Sequence, residues 1–248
     1  MNFKDHFSTQ STAYAQSRPT YPDALFEYLA AQVPARHCAL DIATGNGQAA
    51  IGLAKHFDQV IGIDASQSQI DQAQPAANVT YHCAPADRLP VEDGTVDLIT
   101  IAQALHWLPL EAFYAEVRRV ARPGAVIAAI SYGLNSFNDP AIDGPISELY
   151  GDVLGEHWPP ERRHVENGYR DLAFPFSGIA PPVMSIEREW SLDILRGYLE
   201  SWSATQRYIR EVGNNPVDDL MNTLSAIWDK NSTKKSQFPL TLKLGYVA

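Results

Sequence analysis

Residues 39–54 read ALDIATGNGQAAIGLA, with an acid, Asp41, four residues before Gly45 and a second glycine at Gly47. A short apolar run that ends in a carboxylate, passes through a two-glycine turn and re-emerges as an alanine-rich helical pattern suits a nucleotide-like ligand. Two chemistries compete for it. Gly45, Asn46, Gly47, Gln48, Ala49 and Ala50 satisfy the dinucleotide fingerprint, which points to an NAD-dependent oxidoreductase. Asp41 points elsewhere: a carboxylate at the mouth of a pyrophosphate site repels the ligand, whereas it attracts the ammonium and sulfonium of S-adenosylmethionine. Gly45 and Gly47 would let the backbone approach the methionyl portion, where a β-carbon is an obstacle.

Two further acids follow in order. Asp64 ends VIGID, 23 residues after Asp41, where a strand-end carboxylate accepts hydrogen bonds from ribose hydroxyls. Asp87 in APADRLP stands just past the third apolar run, in reach of an adenine amino group.

These residues need strands to carry them. HCALDI, QVIGID, NVTYHC, VDLITIA and AVIAAISY read as strands, separated by helical patterns at 48–56, around 66–73, and through LEAFYAEVRRVA. Short apolar strands alternating with helices predict a doubly wound parallel α/β sheet. Pro22 opens an earlier helix in DALFEYLAAQV, with Leu25, Tyr28, Leu29 and Val33 facing inward. Residues 133–182, rich in Pro, Gly and aromatics, read as an ordered lid, and VMSIEREWS and FPLTLKLGYV as a closing strand pair with helical patterns between them. One domain is expected: a cap over 1–35, a cofactor-binding core over 36–132, the lid over 133–182, and closing strands with helices over 183–248.

Composition narrows the partners. Asp and Glu number 29 against 19 Lys and Arg, a formal net charge of −10, which disfavours nucleic acid and anionic membranes. A small-molecule acceptor, no membrane span and a cytoplasmic location are expected. Cys38 and Cys83 read as two buried reduced thiols. The seven histidines are dispersed, so no metal is expected.

The order of ALDIATGNGQ, VIGID, APADRLP, VDLITIAQALHW and RRVARPGAVIA resembles the class I S-adenosylmethionine-dependent methyltransferases of the methyltransferase type 11 kind, over about residues 36–132. YAQSRPTYP, WPPERRHVE, YLESWSATQRY and FPLTLKLGY further resemble a branch that includes trans-aconitate methyltransferase-like proteins. The resemblance implies a Rossmann-like seven-stranded sheet with an antiparallel last strand, and strand two between strands one and three. It implies that Ala43, Gly45, Gly47 and Gln48 line the methionyl end, Asp64 with Ala65 the ribose, Ala86 and Asp87 the adenine, and Gln103 and Ala104 the wall near the methyl. Asp41 would help to hold the ammonium, and Arg18 the methionine carboxylate. The family has glycine where Ala43 stands.

His106 in QALHW is a candidate base or a pocket-shaping group, with Trp107 beside it. For the acceptor, Arg162, Arg163, Arg170 and Arg207, with Tyr14, Tyr21, Trp158, Tyr169 and Trp202, are candidates. Converging guanidinium groups would select a small carboxylic acid, because they bind carboxylates bidentately. The expected reaction moves the methyl group to the oxygen, or alternatively the nitrogen, of a small molecule, with a carboxylate ester as the favoured product and S-adenosylhomocysteine released. The alternatives are the NAD-dependent enzyme and a non-catalytic S-adenosylmethionine-binding module.

Overall fold

Successive strand residues point to opposite sides of a sheet, and the central strands here are apolar on both. In strand β5 (Ala121–Tyr132), Val126, Ala128 and Ile130 join one hydrophobic cluster, whereas Ala125, Ile127 and Ala129 join another. Helices must therefore cover both faces. On one side lie α1 (Asp23–Ala31) and α2 (Gln48–Leu53), packing Leu25, Phe26, Leu29, Ala50 and Leu53; on the other, α4 (Leu110–Val120) packs Phe113, Tyr114, Val117 and Val120. The computed structural model describes residues 19–247.

Strands β1 (Cys38–Ile42), β2 (Gln59–Asp64), β3 (Val79–Cys83), β4 (Val96–Ala102) and β5 run parallel. The order is β3-β2-β1-β4-β5-β8-β6, where β8 (Lys234–Tyr246) is antiparallel to β5 and β6 (Ser177–Ile179) is antiparallel to β8. Strand β7 (Ser185–Trp190) pairs with the earlier part of β8. Ser177 faces Tyr246 and Ser185 faces Pro239, so β6 and β7 occupy nearly one line along β8, offset by one residue. Pro181 and Pro182 lie in the gap, where missing amide donors interrupt the ladder. The last sheet position is thus one broken strand, and the seven-position sheet with its antiparallel strand is as expected.

Helices α5 (Pro140–Glu148), α6 (Arg162–Glu166), α7 (Leu192–Glu200), α8 (Ser203–Val212) and α9 (Val217–Ser225) follow the parallel strands. Asp139 caps α5, accepting from the Ala141 amide with Pro140 at the first helical position. Residues from α5, α7 and α9 bury Trp190, Trp228 and Phe238 in a third cluster against β7 and β8. Truncating Trp190 to alanine there would cost about 3–5 kcal/mol.

Local patterns misled in several places. The helix expected around 66–73 is a single turn, α3 (Gln67–Ile70), and the pattern through 192–213 breaks into α7 and α8 at Ser201 and Trp202. Cys38 is buried, but Cys83 is exposed because β3 is the sheet's edge; both thiols are free. On α1, Phe26 is buried while Tyr28 is only half-buried.

Candidate functional site

The parallel strands end together, and the turn after β1 is assembled at that edge. Thr44 donates its amide to Ile63 O at 3.0 Å, and Gly45 donates its amide to Asp64 Oδ2 at 2.9 Å, so β2 holds the turn from the side. Asp64 Oδ1 accepts from the Ser66 amide at 2.9 Å. Three consecutive odd positions are left-handed: Ala43 at φ +53°, Gly45 at +56° and Gly47 at +83°. For alanine that conformation costs about 1–2 kcal/mol.

Asp41 is buried beneath the turn. Its Oδ2 accepts from Thr44 Oγ1 at 2.6 Å and its Oδ1 from Thr100 Oγ1 at 2.7 Å. Burial pushes its carboxyl up to about 6; the threonine hydroxyls oppose the shift and the Asp64 charge adds to it. Thr100 was not foreseen, because its pairing with Asp41 across β1 and β4 depends on strand register.

Gln103, just past β4, is also left-handed, at φ +58°, with its amide donated to Ile130 O and its Nε2 to Tyr132 O. Residues Leu105–Trp107 then form a short 3-10 turn. His106 Nδ1 lies 3.1 Å from the hydroxyl of the fully buried Tyr169. Burial, with the charges of Arg162 and His164, pushes His106 down to about 4, so the ring is neutral near pH 7.

Helix α6 packs against that turn. Its first residue, Arg162, donates Nε to Tyr150 Oη at 2.9 Å, and its guanidinium lies over the rings of Tyr150 and Trp158 at 5.6 and 5.1 Å. Tyr150, in the π-helical stretch Leu149–Val153, donates in turn to Glu166 Oε1 at 2.5 Å. Among the described residues no carboxylate forms a direct ion pair with Arg162, whereas Arg122 and Arg207 each pair with one and Arg119 and Arg196 with two. A cleft of about 400 Å³ opens here, lined by Tyr150, Trp158, Arg162, Arg163 and Glu166 among others.

The arginines do not all converge. Arg162 and Arg163 share the cleft; Arg170 is exposed, and Arg207 is exposed and paired with Glu211 at 2.8 Å. Trp202 is buried against Tyr150 and Trp158. Tyr21 makes edge contacts with Phe26 and Tyr132. Asp64, Ala104 and Tyr169 are buried; Ala43, Gln48, Ala86, Gln103 and Trp107 are half-buried; Ala65 and Asp87 are exposed. Tyr14 and Arg18 lie outside the described residues. Tyr150, Glu166 and Lys243 were missed, since nothing in their local sequence distinguishes them from ordinary helix and strand residues.

The profile of the methyltransferase domain matches residues 40–129. A Dictyostelium discoideum protein described as a methyltransferase is 34% identical over 225 residues, covering 90% of this chain and 86% of its own. A solved structure described as a type II methyltransferase, from Anaeromyxobacter dehalogenans, has a TM-score of 0.89 at 43% identity over 93% of this chain and 98% of that one. A Saccharomyces cerevisiae protein described as an S-adenosylmethionine-dependent methyltransferase is 27% identical, covering 64% of this chain and 59% of its own. The antiparallel β8 argues against the nicotinamide reading, and no helix among the described residues is long and apolar enough to cross a membrane. With the extent of these matches and the shared fold, the chain belongs to the class I S-adenosylmethionine-dependent methyltransferases, with S-adenosylmethionine as its cofactor and a methyl acceptor as its substrate.

Proposed function

We propose that the protein methylates a carboxylate oxygen of a small acid held in the Arg162 cleft, with residues 133–182 as its lid. The observation that carries this reading is Arg162 itself: a half-buried guanidinium, anchored through Nε on Tyr150, without an acidic partner among the described residues. Its terminal nitrogens match the paired oxygens of a carboxylate. The looser resemblance to trans-aconitate methyltransferase-like proteins points the same way.

The turn after β1 is suited to the cofactor. A β-carbon at Gly45 would meet only Gln69 Oε1, at 3.6 Å, so the backbone there is open to close approach. In this reading Gly45, Gly47 and Gln48 take the methionyl end, Asp64 and Ala65 the ribose, Ala86 and Asp87 the adenine, and Gln103 and Ala104 the side nearest the methyl. Asp41 serves differently from the sequence expectation: capped by Thr44 and Thr100, it orders the turn from beneath. When bound, S-adenosylmethionine supplies a methyl group on a sulfonium sulfur that departs as a neutral thioether. A carboxylate oxygen forms the new O–C bond as the C–S pair returns to sulfur, and no proton has to be removed. Alignment then supplies much of the rate.

The test is a screen of small mono-, di- and tricarboxylic acids, phenols and amines with S-adenosylmethionine, reading S-adenosylhomocysteine release and product mass. Methyl esters are expected; turnover confined to phenols or amines would reject the carboxylate assignment.

A further inference from the structure

The His106 imidazole is oriented from behind by a chain of contacts that ends on the sheet. Tyr169, whose hydroxyl lies 3.1 Å from Nδ1, is fully buried and left-handed at φ +57°. Lys243 of β8 donates Nζ to the carbonyls of Tyr169 and Leu172 at 2.7 and 2.9 Å, and the Tyr169 amide donates to His164 O at 2.7 Å. A non-glycine residue keeps such a backbone only where its surroundings over-determine it, and such residues cluster at functional sites.

Resting on the reading of the Arg162 cleft as the acceptor site, we propose that Tyr169, positioned by Lys243, donates its phenol proton to His106 Nδ1. This locks the ring as the Nε2–H tautomer, so that His106 meets the acceptor carboxylate as a hydrogen-bond donor and not as a base.

A neutral imidazole carries one ring proton, so only two arrangements are open. In the first, Tyr169 O–H points at Nδ1 and the ring proton sits on Nε2. In the reverse, Nδ1–H points at the phenol oxygen, the phenol proton turns to the nearby Ser131 hydroxyl, and Nε2 presents a lone pair. The first is favoured because an imidazole nitrogen is a stronger acceptor than an aliphatic hydroxyl. Nε2 has no hydrogen-bond partner among the described residues, so its proton is available to a ligand. A phenol or amine acceptor, which must lose a proton, finds no base in His106. An ionised carboxylate has no proton to lose and needs only donors, which Nε2–H and Arg162 would supply.

The tautomer can be read without any acceptor, from two-bond 1H–15N correlations of the histidine rings at pH 7, with His106 assigned by His106→Gln. Protonated Nε2 and bare Nδ1 are expected in the wild type, with a mixture of tautomers in Tyr169→Phe and in Lys243→Met. Protonated Nδ1 in the wild type would overturn the proposal, and an unchanged spectrum in a folded Tyr169→Phe would remove Tyr169 as the positioning residue. Should that variant not fold, the wild-type spectrum still decides. Failure of the carboxylate screen leaves this readout standing, and Nδ1–H alongside methyl ester formation would sink the tautomer alone.

Discussion

Asp64 Oδ2 accepts the Gly45 amide at 2.9 Å, so one carboxylate at the end of β2 both shapes the turn after β1 and stands where the ribose is proposed to bind. Asp64→Ala would remove the tether to Gly45, the tether to Ser66 and the proposed ribose acceptor together. Charge-assisted hydrogen bonds contribute about 1.5–3 kcal/mol each. Calorimetric titration with S-adenosylhomocysteine should therefore show a Kd raised by roughly 10- to 100-fold or more. A Kd within twofold of wild type would remove Asp64 from the cofactor site.

The carboxyl of Asp41 gives the fold a pH dependence of unusual sign. Its folded value, about 6, lies above the ordinary 3.8, because burial penalises the charge. Between these values the folded state holds a proton that the unfolded state has lost, so stability falls as pH rises from about 4 to 6 and is flat above. The span corresponds to a contribution of about 3 kcal/mol. Asp41→Asn removes this titration. Denaturant unfolding from pH 4 to 7 should show the variant gaining on wild type as pH rises; parallel curves would show that the carboxyl does not titrate in this range.

Gly45 and Gly47 should tolerate alanine unequally. Both are left-handed, which costs any L residue about 1–2 kcal/mol. A β-carbon at Gly45 meets only Gln69, but at Gly47 it would fall 2.1 Å from Tyr81 Oη, and that hydroxyl is held by Gln74 O at 2.8 Å. Gly47→Ala should lower Tm by several degrees more than Gly45→Ala. Equal shifts would mean that the Tyr81 ring moves aside freely.

Ala43→Gly should stabilise the protein. Glycine relieves the left-handed penalty but adds freedom to the unfolded chain, leaving a gain of about 0.5–1 kcal/mol. For a chain of this size the melting temperature should rise by about 1–4 °C. A lower Tm would show that the alanine methyl contributes packing worth more than the strain.

Arg162→Lys should separate acceptor from cofactor. Lysine keeps the charge but loses the fork and its seat on Tyr150 and Trp158. With a carboxylic acceptor, KM should rise roughly 10- to 100-fold, in line with the energy of a charge-assisted pair, while S-adenosylhomocysteine affinity is unchanged. Unaltered KM would place the acceptor elsewhere.

Periodicity and order alone determined the doubly wound sheet and the succession Asp41, Gly45, Gly47, Asp64, because these are local features: strand lengths, glycine turns, and acids at strand ends; the antiparallel last strand was implied only by the family resemblance. Tertiary structure decided everything that depends on register or on packing between distant segments. Thr100 caps Asp41 only because β4 pairs with β1 in one register; Lys243 of β8 reaches Tyr169, 74 residues away, only through tertiary packing. Four arginines looked equivalent in sequence, and the structure distinguished them by partner: Arg207 pairs directly with Glu211 one helical turn on, whereas Arg162 rests on two aromatic rings and meets Glu166, also one turn on, only through the Tyr150 hydroxyl. A guanidinium's environment is made by side chains brought from elsewhere in the chain, and no window of sequence contains them.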